Sequence, residues 1–139
     1  MLPVPLDLSA MMLPLAGDKV RAGFPSPAED FAVKRVDLTR MLVTHPQATF
    51  LLPVSGDSMK DAGIFDGDML VVNKALKPRH WHIVVAVVDG EFVVKFLHLR
   101  GGLVRLCAAN PQYPDIVPHE GQTIEVWGVV TSAIKRFVS

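Results

Sequence analysis

The sequence predicts a mostly β domain with one short helix and an extended N-terminal arm. From residue 48 onwards, short apolar runs rich in Val, Ile and Phe follow one another at close spacing, separated by turn signals such as Asp89-Gly90. The chain has 139 residues, half of them hydrophobic, which suits one domain with a packed core. We expect the arm to span residues 1–30 and the compact β domain to span residues 31–139.

The arm is predicted from its prolines and glycines, which leave no helical periodicity in residues 1–30. The prolines also interrupt the apolar N-terminus, and no basic residue precedes it, so a secretory signal is not expected. The longest apolar run, Ile83–Val88, has strand length and falls short of the roughly 20 residues that span a bilayer. We therefore expect a cytoplasmic protein without a membrane partner.

A short helix and six strands are predicted beyond the arm. In residues 37–43, Asp37 is suited to the N-cap, three apolar side chains share one face, and Pro46 follows as a stop. Asp89-Gly90 and Gly101-Gly102 mark tight turns, so the strands are expected to pair mostly antiparallel. The predicted strands are Thr49–Val54, Met69–Asn73, Ile83–Asp89, Phe92–Leu99, Leu103–Ala108 and Thr123–Val130.

Charge and cysteine content argue against two classes of protein. The 14 basic residues are balanced by 14 acidic ones, so the chain lacks the basic excess typical of nucleic-acid binders. Cys107 is the only cysteine, which excludes a disulfide scaffold. Its place in an apolar run fits a small core residue.

Ser58 is the first candidate for chemistry. It lies in Ser55–Met59, directly after an apolar run, where Gly56 permits a tight turn. A serine at the start of a helical turn exposes its hydroxyl beside free backbone N–H groups, which can stabilise an oxyanion. On the motif alone, an ordinary strand-to-helix turn with Ser58 as N-cap is the simpler interpretation.

Lys95 is the second candidate, because strand alternation gives it apolar neighbours on both faces of Glu91–Leu97. Burial favours the neutral amine, and a pKa lowered by about three units corresponds to roughly 4 kcal/mol. The simpler interpretation is an edge-strand lysine whose stem packs on the core while its ammonium reaches water. Considered together, Ser58 and a desolvated Lys95 would make a nucleophile and its base.

Other arrangements have less support. His80 and His82 could share one strand face, but no third ligand is identifiable, so no metal or other cofactor is expected. Asp66–Asp68 is typical of a turn, since a calcium loop needs many more oxygen ligands. No motif links Ser58 to any of the histidines, which are His45, His80, His82, His98 and His119.

A candidate processing site lies in the arm. The Ala22-Gly23 bond has the smallest possible side chains on either side, and Pro25 and Pro27 hold the following chain extended. Such a segment fits a narrow protease cleft as an added strand. A flexible arm without this role is the alternative.

These motifs, in this order, closely resemble the UmuD family, the polymerase V accessory subunits that share a fold with the peptidase domain of LexA. The similarity runs from about Gly23 to Val130, and the separation of Ser58 from Lys95 is that of the superfamily. The segments that carry the resemblance are Ala22–Ala28, Ser55–Met59, Asp66–Asp68, Asp89–Phe92, Val94-Lys95 and Val126–Val130.

The resemblance implies a LexA/UmuD-type peptidase domain that cleaves itself. Lys95 would take the proton of Ser58, Ser58 would attack the Ala22 carbonyl, and the backbone N–H groups of Asp57 and Ser58 would hold the oxyanion. Cleavage of the Ala22–Gly23 bond would follow docking on a RecA filament on single-stranded DNA. The shortened homodimer would then join a UmuC-type Y-family polymerase for translesion synthesis in the SOS response, with no cofactor and no sequence-specific DNA binding.

Some positions depart from the family pattern. Trp81 and His82 stand where the family usually has Gly and Asp, and a bulky Trp81 is expected to change the local turn. Phe96 replaces a second basic residue after the catalytic lysine and leaves Lys95 itself in place. Ala22-Gly23 is the LexA-type pair, where some UmuD proteins have Cys-Gly.

Three related functions are the alternatives. A LexA-like repressor needs a helix-turn-helix domain before the cleavage site, and 22 residues are too few for one. Type I signal peptidases use a related Ser–Lys arrangement but need a membrane anchor. A non-catalytic UmuD-like subunit that binds polymerase or RecA would not need the intact set of Ser58, Lys95 and Ala22-Gly23.

Overall fold

The computed structural model describes residues 9–17, 19–20, 23 and 34–138, and strands are the main regular secondary structure of these residues. Backbone contacts divide the chain into two units, Met1–Pro46 and Gln47–Ser139. The predicted fold class is confirmed, with one short α-helix among the described elements. The predicted boundary between residues 30 and 31 lies outside the described residues and stays a prediction.

The first unit contains a two-stranded antiparallel ribbon and the helix. Strand β1 (Met12–Leu15) pairs with β2 (Lys34–Asp37), and α1 (Leu38–Leu42) follows directly. Asp37 is the N-cap, as predicted, because its carboxylate accepts a hydrogen bond from the Thr39 N–H at 3.0 Å. Neither strand was predicted, because each has only four residues and Pro14 interrupts the first.

The short helix α1 cannot cross a membrane. Within the described ranges, no helix has the length and apolar character that crossing a bilayer requires, since α1 has five residues. The cytoplasmic location stays a prediction.

The second unit is a six-stranded antiparallel sheet with the order β3-β4-β8-β5-β6-β7. All six strands predicted from the sequence are confirmed. The last predicted strand continues past its predicted end at Val130. Its residues Ser132–Ile134 pair with Met69–Val71 of β4. The strands are β3 (Thr49–Pro53), β4 (Met69–Asn73), β5 (Ile83–Val88), β6 (Glu91–Arg100), β7 (Leu103–Cys107) and β8 (Ile124–Ile134).

Both predicted hairpins are present. Asp89 and Gly90 join β5 to β6 with φ values of +49° and +83°, as a type I′ turn requires. Gly101 and Gly102 join β6 to β7 with φ values of +57° and +76°. The two turns place β6 between β5 and β7, in the half of the sheet farthest from β3 in strand order.

Apolar clusters cover both faces of the sheet. Successive residues such as Val84 and Val85 belong to different clusters, as the alternation of side chains along a strand requires. The strand that carries Lys95 therefore lies between apolar side chains on either face. One cluster contains Met59, Ile64, Leu70, Val72 and Val85, and the other Val84, Ala86, Leu97, Leu106 and Val129.

Candidate active site

Ser58 lies in the connection between β3 and β4, just before a 3₁₀ turn at Lys60–Ala62. Gly56 has a φ of +88°, a left-handed conformation that favours glycine, and its N–H donates to the Asp66 carboxylate at 2.8 Å. Met59 is buried in the first apolar cluster. The serine is thus held between a fixed glycine turn and an anchored side chain.

A second segment, residues 109–113, clamps the same turn from the other side. The Ala109 N–H donates to the Ser58 carbonyl at 2.9 Å, and the Asp61 N–H donates back to the Ala109 carbonyl at 2.8 Å. The buried Asn110 donates its side-chain N–H to the Asp57 carbonyl at 3.0 Å. The Tyr113 hydroxyl donates to the Asp57 carboxylate at 2.6 Å.

Asn110 and Tyr113 were not identified from the sequence as parts of the site. Asn110-Pro111 does carry a turn signal, but that signal says nothing about which distant carbonyl the amide reaches. The contact joins positions 53 residues apart, so only the folded sheet brings them together.

Lys95 meets Ser58 at this turn. Its Nζ lies 2.8 Å from Ser58 Oγ and 3.1 Å from the Val94 carbonyl oxygen, and only 8% of the residue is exposed. Burial away from water lowers the pKa of Lys95 below its ordinary value of 10.5. The structure thus places both predicted catalytic side chains in one hydrogen-bonded pair.

Lys95 forms no ion pair with the residues that the structure describes. The ion pairs within the described part of the chain join Arg40 to Asp37, Arg105 to Asp115 and Lys135 to Asp68, and none includes Lys95. Desolvation is accordingly the cause of its lowered pKa. A buried amine without a carboxylate partner favours the neutral form, which can accept a proton.

The Ser58–Lys95 pair opens onto a cleft of about 350 Å³ between β3 and β6. Leu52 and Val54 line it from the β3 side, and Phe92 and Val94 from the β6 side. Among the described residues, β3 ends the strand order of the six-stranded sheet, so an extended segment can add beside it as a further strand.

The predicted oxyanion donors face no competing acceptor. In the described residues, the backbone N–H groups of Asp57 and Ser58 donate to no other protein group. Of the predicted cleavage pair, Gly23 is exposed and Ala22 lies outside the described residues.

The other polar candidates have structural contacts instead. His80 and His82 accept hydrogen bonds from the backbone N–H groups of Leu99 and Arg79, and the described residues contain no cluster of three metal-ligating side chains. Asp66–Asp68 forms the predicted turn, where the Asp68 carboxylate pairs with Lys135. Cys107 is half-buried in β7, and burial raises the pKa of its thiol.

An antiparallel β domain that holds a serine against a buried lysine beside an open cleft defines a peptidase-type domain. Residues 14–131 match the family described as Peptidase S24-like, so the chain belongs to that family. This match covers both predicted catalytic side chains.

Individual relatives agree with the family match. The chain is 44% identical to Protein ImpA of Shigella flexneri over 124 residues, which is 88% of this chain and 83% of that protein. It is 41% identical to Protein MucA of Escherichia coli over 88% of this chain and 84% of that protein. The LexA repressor of Paracidovorax citrulli is 38% identical over 97% of this chain, which spans 59% of that repressor. The resemblance to the UmuD family is confirmed.

Proposed function

We propose that the protein is a self-cleaving serine peptidase of the SOS response, with Ser58 as nucleophile and Lys95 as general base. The observation that carries this proposal is the 2.8 Å contact between Lys95 Nζ and Ser58 Oγ at a buried site without a carboxylate. A serine needs an adjacent base to become nucleophilic, and an uncharged lysine amine can serve as one.

The proposed reaction begins with proton transfer from the Ser58 hydroxyl to the neutral amine of Lys95. Ser58 Oγ then bonds to the carbonyl carbon of Ala22, and the backbone N–H groups of Asp57 and Ser58 donate to the resulting oxyanion. The bond to the Gly23 nitrogen breaks, and that nitrogen takes the proton from the Lys95 ammonium.

The remaining ester between Ser58 and Ala22 is hydrolysed in the second half. Lys95, neutral again, takes a proton from water while the water oxygen bonds to the Ala22 carbonyl carbon. The bond to Ser58 Oγ breaks, and Lys95 returns the proton to that oxygen. The products are a carboxylate at Ala22 and a new amine at Gly23, so residues 23–139 remain as the processed chain.

The sequence around the scissile bond supports this choice of substrate. Ala22 and Gly23 offer little steric bulk, and Pro25 favours an extended chain after the bond. An extended segment of this kind can add beside β3 at the edge of the sheet and present its carbonyl to Ser58.

We further propose that the processed protein is the accessory subunit of an error-prone Y-family translesion polymerase of the UmuC type. Cleavage would follow docking of the full-length protein on a RecA filament formed on single-stranded DNA, and the shortened homodimer would then join the polymerase. Membership of the S24 family and the relatives ImpA and MucA support this role. Light scattering of the purified protein at micromolar concentration should give a dimer mass, and a monomer mass would contradict the homodimer.

Alkaline incubation followed by mass spectrometry tests the peptidase. Raising the pH to about 10 deprotonates Lys95 without a partner protein, so two fragments that meet at Ala22–Gly23 should appear. Ser58→Ala and Lys95→Ala should each abolish cleavage. Ser55→Ala and Lys60→Ala are matched controls, because both residues are exposed in the same turn and both variants should cleave.

Two results would oppose this proposal. A single full-length band at about pH 10, with the fold intact by circular dichroism, would support a non-catalytic subunit that binds polymerase or RecA instead. Continued cleavage in Ser58→Ala would assign the chemistry to another group.

A further inference from the structure

A surface on the β5–β6 side of the sheet combines aromatic rings with positive charge. The segment 79–82 lies against the end of β6, because the Trp81 N–H donates to the Leu97 carbonyl at 2.6 Å and the Leu99 N–H donates to His80 Nδ1 at 3.0 Å. We call this surface the Trp81 patch, and it consists of Arg79, His80, Trp81, His98 and Arg100.

The rings of the patch pack against one another in tilted and edge-on contacts. The Trp81 ring centre lies 4.9 Å from that of His80 and 5.5 Å from that of His98. Phe96 supports it from below in an edge-on contact at 5.7 Å. Half of Trp81 is nevertheless exposed, so a large, rigidly held aromatic surface faces solvent.

The backbone at Trp81 is held in an unusual conformation. Its φ of +66° is left-handed, a region that bulky residues rarely adopt. Such strain persists only where surrounding contacts determine it, and it concentrates at functional positions. Here it directs the largest side chain of the segment to the surface.

The positive charge of the patch is free of ion pairs. Arg79 and Arg100 are exposed, and neither belongs to an ion pair among the residues that the structure describes. Burial lowers the pKa of His80, and the nearby His98 and Arg100 lower it further.

Charge is segregated along the sequence around this patch, although the whole chain is neutral. Residues 74–88 and 92–114 contain no Asp or Glu. Together they hold six of the chain's 14 basic residues, namely Lys74, Lys77, Arg79, Lys95, Arg100 and Arg105. Of these six, Arg79 and Arg100 are exposed members of the patch, whereas Lys95 is buried and Arg105 pairs with Asp115.

We propose that the Trp81 patch binds single-stranded nucleic acid, with a base stacked on the exposed face of Trp81 and adjacent phosphates bound by Arg79 and Arg100. Stacking on an aromatic side chain suits every base, and guanidinium groups pair well with phosphate. An acidic peptide would satisfy the arginines but would leave the indole face without a planar partner. This role goes beyond self-cleavage and needs neither Ser58 nor Lys95.

Fluorescence anisotropy with a labelled oligothymidylate of about 20 nucleotides tests the proposal on the full chain. At about 50 mM salt the wild type should bind, and binding should weaken steeply towards about 200 mM. Trp81→Gly should weaken binding by about tenfold or more. Glycine accepts the φ of +66°, so this variant should keep its fold.

Charge and fluorescence variants separate the parts of the patch. Arg100→Gln should reduce the slope of log K against log salt by about 0.7, the value of one lost single-strand phosphate contact. In Trp127→Phe, which keeps Trp81 as the only tryptophan, the oligonucleotide should quench the emission. Arg40→Gln and Phe137→Ala are controls, because both residues are exposed elsewhere in the chain, and both variants should bind like the wild type.

Four outcomes would overturn the proposal. The wild type would fail to bind at about 50 mM salt, or Trp81→Gly would bind as tightly as the wild type. Equal weakening in Arg40→Gln and Arg100→Gln would show general attraction to positive charge instead of a site. Competition by polyglutamate as effective as that by unlabelled oligothymidylate would likewise assign the patch to acidic peptides.

Discussion

Replacing Lys95 by methionine should stabilise the protein at neutral pH and remove one source of pH dependence. The side chain is 8% exposed, and burial lowers its pKa below 10.5. Below that lowered pKa the folded protein carries a buried ammonium without a carboxylate partner. Methionine has a similar length and no charge, so Lys95→Met removes this desolvation cost.

The sign and size of the effect follow from proton linkage. Between the folded pKa of Lys95 and 10.5, the unfolded chain holds a proton on this lysine that the folded chain has released. The contribution of Lys95 to the free energy of unfolding therefore rises with pH in that window, by up to about 1.4 kcal/mol per pH unit. The advantage of Lys95→Met should shrink at the same rate and level off above 10.5.

Urea denaturation monitored by circular dichroism from about pH 7 to pH 11 measures this difference. Both proteins should carry Ser58→Ala, which keeps the chains intact at alkaline pH. All other titrating groups are the same in the two chains, so their contributions cancel in the difference between the two free energies of unfolding. Lys60→Met is the control, because Lys60 is an exposed lysine in the same turn. It measures the change in the free energy of unfolding when a lysine that is not buried becomes methionine. A difference between wild type and Lys95→Met that stays constant over the whole range would refute the neutral-amine reasoning.

Two further predictions concern packing around the dyad and in the sheet. Asn110→Ala leaves the Asp57 carbonyl without its buried donor, so it should cost about 1–3 kcal/mol of unfolding free energy and slow alkaline cleavage, measured by denaturation and by gel. Unchanged cleavage would mean that Asn110 does not position the Ser58 turn. Gly128→Ala would place Cβ 2.6 Å from Val72 Cγ1, so it should destabilise the sheet by about 1–3 kcal/mol in the same urea assay. A neutral effect would show that β4 and β8 can separate at this point.

The sequence predicted the fold where the determining interactions are local. Asp89-Gly90 supplies the two left-handed residues that a tight hairpin needs, so β5 and β6 were identified with their turn. The ribbon of β1 and β2 was missed because its stability comes from pairing Met12 with Asp37, two positions that no local pattern connects. The extension of β8 beyond Val130 depends in the same way on its partner β4.

The candidate site was predictable in its residues but not in its support. The sequence predicts Lys95 as a site residue because burying a charged side chain in an apolar strand costs free energy. The structure shows that Lys95 is buried and that its Nζ lies 2.8 Å from Ser58 Oγ. Asn110 and Tyr113 carry no comparable anomaly in the sequence. Trp81 was recognised as a departure, yet its left-handed backbone was not predictable because bulky residues disfavour it.

The absence of acidic residues from residues 74–88 and 92–114 connects the two proposals. A carboxylate about 4 Å from the Lys95 amine would favour the ammonium by about 4 kcal/mol at the effective dielectric constant of such sites. That corresponds to a pKa higher by roughly three units, which would leave little neutral amine to act as a base. A carboxylate beside Arg100 would likewise pair with its guanidinium group and weaken its attraction to a phosphate. The lack of Asp and Glu in these two segments thus favours both a neutral Lys95 amine and unpaired arginine side chains at the Trp81 patch.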